Sequence, residues 1–143
     1  MAYSTRQRTA VWKVLEEADR PLTPHEIQDA AKSLVPSLGM ATVYRCLKEL
    51  TRDGNARLVE LQGAPPHYES SKRPHHHFFF CKQCRRLFDL IGCAGGIMRM
   101  APNGFEVERH EIVLYGSCDA CRPTKHFDQG HPKGHNRANK TIR

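Results

Sequence analysis

Four cysteines set as two CxxC pairs, Cys81/Cys84 and Cys118/Cys121, are the residues whose spacing points most directly to chemistry. Each pair offers two thiolates from one tight turn, and two pairs complete a tetrahedral cage for Zn2+ at Zn–S distances of about 2.3 Å. Four sulfurs leave no open coordination position, so the expected site is structural rather than catalytic. A redox dithiol is the rival reading. Two pairs separated by 33 residues argue against it. Cys46 and Cys93 are single.

Just before the first pair stands His75-His76-His77-Phe78-Phe79-Phe80. If these residues form a strand, side chains alternate between its faces. His75, His77 and Phe79 then share one side, and His76, Phe78 and Phe80 the other. Three adjacent histidines therefore cannot serve one ion. His75 and His77 can act as a pair, while His76 needs partners from elsewhere, for which His67, Glu69, Asp89 and His110 are candidates. Mixed imidazole and carboxylate donors beside a structural zinc suggest a second, exchangeable metal site. The alternative is a solvated polar cluster.

These residues need elements to position them. Thr5 to Ala18 reads as a helix with Val11, Val14, Leu15 and Ala18 in one stripe. Thr23-Pro24-His25-Glu26 is a capping box opening a second helix, with Ile27, Ala30, Ala31 and Leu34 as its apolar face and His25 solvated. A third helix is expected from Met40 to Arg52, with Val43, Cys46, Leu47 and Leu50 facing a core. That face makes Cys46 a buried thiol. Thr42, Tyr44, Arg45, Lys48 and Arg52 lie opposite. "NARLVEL" and "PHYES" form a hairpin around Gln62–Pro66. Three helices followed by a hairpin is the order of a winged helix-turn-helix, whose third helix enters the major groove of double-stranded DNA. Arg45, Lys48 and Arg52 could meet phosphates or guanine edges, and Tyr44 a thymine methyl.

Between the CxxC pairs, "RRLFDL", "GCAGGIMRM" and "FEVERHEIVLYG" read as strand, helix and strand. The fold class is therefore α/β (α+β): a winged-helix DNA-binding domain at 1–66, a hinge at 67–74, and a metal-binding α/β domain at 75–122. The tail 123–143 reads as disordered, with His126, His131 and His135 available for loose metal contacts. The formal net charge is +7, but residues 123–143 supply +4 of it, so overall charge alone does not argue for nucleic acid. No apolar run approaches the roughly 20 residues of a membrane span, and the N-terminus lacks a signal-peptide core. A cytosolic protein with no membrane partner is expected.

"LTPHEI", "ATVYRCLKEL", "HYES", "HHHFFFCKQC" and "HEIVLYGSCDAC" together resemble the ferric uptake regulator superfamily from about Thr5 to Arg122. The resemblance implies a homodimeric, metal-dependent repressor of metal-uptake and homeostasis genes that binds a double-stranded DNA operator, not an enzyme. It makes Cys81, Cys84, Cys118 and Cys121 the structural zinc ligands. It also places Thr42, Tyr44 and Arg45 on the recognition helix and adds Arg8 as a backbone contact. Glu69, His76 and Asp89 match one regulatory site and His75, His77 and His110 another. Pro21 and Phe78 stand where iron and peroxide sensors carry histidines, and Gly96 stands where a glutamate is usual. The extra N-terminal helix of many members has no counterpart before Thr5. The zinc-responsive subfamily is the nearest likeness, making Zn2+ the expected regulatory ion, with Fe2+ or Mn2+ as alternatives. Cys93 is left as a ligand, a redox thiol or a packing residue. Rival readings are a zinc enzyme, from His67-Tyr68-Glu69 ahead of a CxxC as in nucleotide deaminases, and a zinc-stapled interaction module.

Overall fold

The computed structural model describes residues 2–123; the tail histidines lie outside them. Helix α1 spans Ala2–Glu17, α2 Pro24–Ala31 and α3 Met40–Arg52. Their facing stripes merge into one core of Val11, Leu15, Ile27, Ala31, Val35, Leu38, Val43, Leu47 and Leu50, each at most 3% exposed. Cys46 joins that core at 2% exposure, and burial pushes its thiol pKa up. The capping box forms: Glu26 N–H donates to Thr23 Oγ1 at 3.3 Å, and Thr23 N–H donates to Glu26 Oε2 at 2.9 Å. Ala30 and Leu34, expected inside, are exposed. Within α2 the buried face is Pro24, Ile27 and Ala31, which leaves Ala30 outside it; Leu34 lies past the helix end at Ala31, where the turn sends Val35 and Leu38 inward instead.

Strands β1 (Ala56–Val59) and β2 (His67–Ser70) form the antiparallel wing, with Ala56 opposite Ser70 and Val59 opposite His67. Leu22 and Tyr68 exchange backbone hydrogen bonds at 2.9 and 2.8 Å, tying the wing to the loop before α2. Ser70 Oγ donates to Glu16 at 2.6 Å and fastens it to α1. This register assigns His67–Ser70 to the wing, so the connection between the two halves is confined to 71–76.

The second half is a three-stranded sheet. β3 (His77–Cys81) lies between antiparallel β4 (Leu87–Leu90) and parallel β5 (Val113–Gly116). The expected helix and long strand between β4 and β5 are not formed. A 3-10 turn at Ile97–Met100 is the only regular element there, and β5 begins only at Val113. Gly92, Gly95, Gly96, Pro102 and Gly104 explain this: glycine and proline are the poorest helix formers and interrupt strands as well. His110 accordingly precedes β5 rather than lying on a strand. No described helix is long and apolar enough to cross a membrane.

Candidate metal centres and nucleic-acid interface

The knuckle after β3 and the turn after β5 bring Cys81, Cys84, Cys118 and Cys121 together, with all four sulfurs within 4.8 Å of one another. The first knuckle closes through Arg85 N–H to the Cys81 carbonyl at 2.9 Å, with Arg85 in the left-handed region (φ 59°). Burial would raise the Cys81 pKa, but N–H groups of Cys118, Cys84 and Gln83 outweigh it and bring the thiol down to about 6. The neighbouring Cys118 side chain and then burial push Cys121 up to about 12. Cys81 thus ionises more readily than Cys121, and a bound cation would favour the thiolate form of its ligands. The donor set suits zinc.

A second cluster forms where the start of β3 meets the segment before β5. The Nε2 atoms of His75 and His77 are 3.2 Å apart, those of His75 and His110 3.3 Å, and those of His77 and His110 3.2 Å. Cys93 completes it, with Sγ at 2.9 Å from His110 Nε2 and 3.3 Å from His77 Nε2. Ile112 N lies 3.2 Å from His77 Nδ1, so Nε2 is the nitrogen facing the other donors. A regular tetrahedron with edges of this length has its centre about 2.0 Å from each corner, which matches Zn–N bonds of 2.0–2.1 Å. A Zn–S bond of about 2.3 Å would move the sulfur outward by a few tenths of an ångström. Burial, then the His75, His110 and His76 rings, push the His77 pKa down, keeping its imidazole neutral and able to coordinate.

The third cluster spans the two halves: Glu69 from the wing, His76 from the connection and Asp89 from β4. His76 Nε2 lies 2.8 Å from Glu69 Oε2 and 3.8 Å from Asp89 Oδ1. The Arg73 guanidinium is in the same cluster. It forks onto Asp89, reaches Glu69 Oε2 at 3.4 Å and donates to the Asp19 carbonyl at 3.0 Å. Arg57 pairs with Glu69 from the other side at 3.1 Å.

His67, expected among the regulatory donors, is not brought to any cluster. It is fully buried beneath the wing, with Nδ1 2.7 Å from the Pro65 carbonyl, and burial pushes its pKa down. His67 and Glu69 share one face of β2 and are both buried, but His67 turns its ring to the Pro65 carbonyl while Glu69 is held in the ion-pair network of Arg57 and Arg73. Of the three roles open to Cys93 from the sequence, the geometry favours that of ligand, since its sulfur joins the histidine cluster. Arg73 is the participant that the sequence does not single out, because its signal is visible only when cations are considered with the donors.

On α3, Tyr44 is 50% exposed, Arg45, Lys48 and Arg52 are exposed, and Thr42 is half-buried. Arg52 and Arg8 both clasp Asp53, at 3.0 and 2.7 Å, and Arg8 lies 3.8 Å from Glu49. Among the described residues, Arg45 and Lys48 form no ion pair. They are therefore the uncommitted charges of this face.

The ferric uptake regulator family model matches residues 2–115. The chain is similar to "Ferric uptake regulation protein 1" of Mycolicibacterium fortuitum, 28% identical over 96% of this chain and 86% of that one. It is 30% identical to the ferric uptake regulation protein of Campylobacter jejuni, over 85% and 80%. Its fold is shared with the Helicobacter pylori ferric uptake regulator (TM-score 0.69, 20% identity, 83% and 81% covered). A zinc-bound manganese uptake regulator also shares it (TM-score 0.67, 19% identity, 78% and 87% covered).

Proposed function

The chain belongs to the ferric uptake regulator family, whose members are metal-responsive transcriptional regulators and not enzymes, and from that premise we propose that it is a zinc-responsive homodimeric repressor of metal-homeostasis genes. The convergence of three imidazole nitrogens at 3.2–3.3 Å carries this reading. The spacing suits a tetrahedral ion, and zinc accepts imidazole in that geometry without ligand-field penalty. The two sequence relatives above are named for ferric uptake, which makes iron the competing ion.

In this reading each residue set has one task. Cys81, Cys84, Cys118 and Cys121 hold a structural zinc that supports the sheet. His75, His77 and His110 hold the regulatory ion beside a groove of about 510 Å3 between wing and sheet, lined also by Arg57, Leu61 and Glu111. Tyr44, Arg45 and Lys48 meet the operator, with Thr42, Arg52 and Arg8 flanking them. The sheet half exposes Met100, Phe105, Leu114 and Tyr115, an apolar set suited to the dimer contact. Control requires the histidine site to favour the DNA-competent arrangement of the halves. A switch from 1:99 to 99:1 needs a preference of about 5.5 kcal/mol.

A gel-shift titration of protein that retains only its structural zinc tests the proposal. Added zinc should restore operator binding at lower free concentration than iron or manganese. Equal binding with and without every metal would refute metal control, and restoration by iron alone would reassign the ion.

A further inference from the structure

We infer that Cys93 is the fourth ligand of the three-histidine site and the residue that sets its preference for a thiophilic ion such as zinc. This rests on the proposal that His75, His77 and His110 form the regulatory site. Gly92, at φ +82°, makes the left-handed turn after β4 that points the next side chain back at β3. Its Sγ then lies 2.9 and 3.3 Å from two histidine Nε2 atoms, where a fourth vertex belongs. Cys46, by contrast, is sealed in the helical core.

Chemical selection follows from the donor type. A carboxylate is a hard oxygen donor that suits Mn2+ and Mg2+, and with water it supports octahedral coordination. A thiolate is soft and favours zinc and other thiophilic ions. Three imidazoles and one thiolate fill a tetrahedron and leave little room for the extra waters that six-coordinate ions retain. The site also has a structural consequence. Cys93 and His110 are the two ends of an irregular connection, and His75 and His77 lie on or beside β3, so four bonds would clamp residues 93–110 to the sheet. A ligand that binds only the ordered form stabilises it by mass action.

Cobalt titration of the full-length protein with zinc retained at the four cysteines tests this, because zinc there is spectroscopically silent. The wild type should show tetrahedral d–d bands and a near-ultraviolet sulfur-to-cobalt charge-transfer band. Cys93→Ser should lose the charge-transfer band and bind zinc at least tenfold more weakly. Cys93→Asp should narrow the zinc-over-manganese preference by a similar factor. A charge-transfer band unchanged in Cys93→Ser overturns the role of Cys93 while leaving the histidine site standing. Wild type that takes up no cobalt, or cobalt uptake unaffected in His77→Ala, overturns the site itself.

A separate observation supports a second inference: Arg73 is the resident cation of the Glu69/His76/Asp89 cluster, in place of a metal ion. Both carboxylates are already neutralised, Asp89 by Arg73 and Glu69 by Arg57 and Arg73. A divalent ion would add two uncompensated charges among the guanidinium groups, which is unfavourable in a partly buried site. Arg73 also joins Asp19 and Glu69 of the first half to Asp89 of the second, so it bridges the two halves as a metal would. Metal stoichiometry decides it. Wild type should hold two zinc ions per chain, and Arg73→Met a third that is lost again in Arg73→Met/Asp89→Asn. A third zinc in wild type that disappears in Asp89→Asn overturns the inference, as does an Arg73→Met chain that folds, by circular dichroism, yet gains no metal.

Discussion

The two halves of the chain are held together by different physics. The helical half buries a cluster of twelve residues between Ala10 and Ala56. In the sheet half, the described residues that are both apolar and buried are only Phe80, Cys81 and Leu87, while Ile91, Met100 and Phe105 are 71–104% exposed. Domains this small seldom bury enough surface to fold on burial alone, and metals commonly make up the difference. Donor clusters in the second half thus stand where the first has leucine and valine. A fold made this way can respond to metal in the sheet half while the packed core of the helical half stays intact.

The sharpest way to break this contrast is Cys118→Ser. Structural zinc sites contribute about 10–16 kcal/mol in isolated zinc-finger peptides, more than a small domain's whole stability. Hydrogen exchange should show β3 to β5 losing protection while α1 to α3 keep theirs. Simultaneous loss in both halves would mean one cooperative unit and would end the comparison. The converse variant is Leu47→Ala, at 0% exposure in the helical core. It should destabilise the first half by about 2–5 kcal/mol in denaturant melts, with zinc content unchanged.

The same division explains what could be read from sequence. Val43, Cys46, Leu47 and Leu50 were legible because one helix period runs through them and all are buried. Leu34 was misread because the period was extended past the true end of α2 at Ala31. The split of His75, His76 and His77 is as expected, with His76 sent to Glu69 and the other two to His110, although β3 begins only at His77, so the strand pleat assumed for 75–80 does not itself produce it. Residues 91–112 were not legible. Their path is set by contacts from Cys93 and His110 to β3, at sequence separations no local rule covers, and their glycines favour neither helix nor strand. Arg73 lay in plain view, but its meaning depends on carboxylates four and sixteen residues away.

A smaller effect separates free from committed charges on α3. Arg45→Ala should weaken operator binding by about 1–3 kcal/mol if it reads a base, whereas a pure phosphate contact would mainly lower the salt slope by about one. Arg52→Ala and Arg8→Ala should do less, because both side chains already pair with Asp53. Parallel salt titrations of the three variants separate these outcomes, and an Arg52→Ala loss exceeding that of Arg45→Ala would reverse the assignment.

The smallest effect belongs to the capping box that opens α2. Burial would raise the Glu26 pKa, but Arg20, the Thr23 N–H and the Thr23 hydroxyl together hold it below the usual carboxylate value. A depressed pKa means the folded state favours the carboxylate. The group therefore contributes stability above the unfolded-state pKa and loses it as pH falls through the lower, folded value. Thr23→Ala should remove about 1 kcal/mol at neutral pH. Glu26→Gln should lose a comparable amount at neutral pH and progressively less on acidification, so its melting curves should converge with wild type below pH ~4. Convergence at high pH instead would show that the carboxylate is not the stabilising form. The shift should not stay within the helical half, since Glu26 also pairs with Arg86 at 3.4 Å and Arg20 lies over the Phe88 ring of the sheet half.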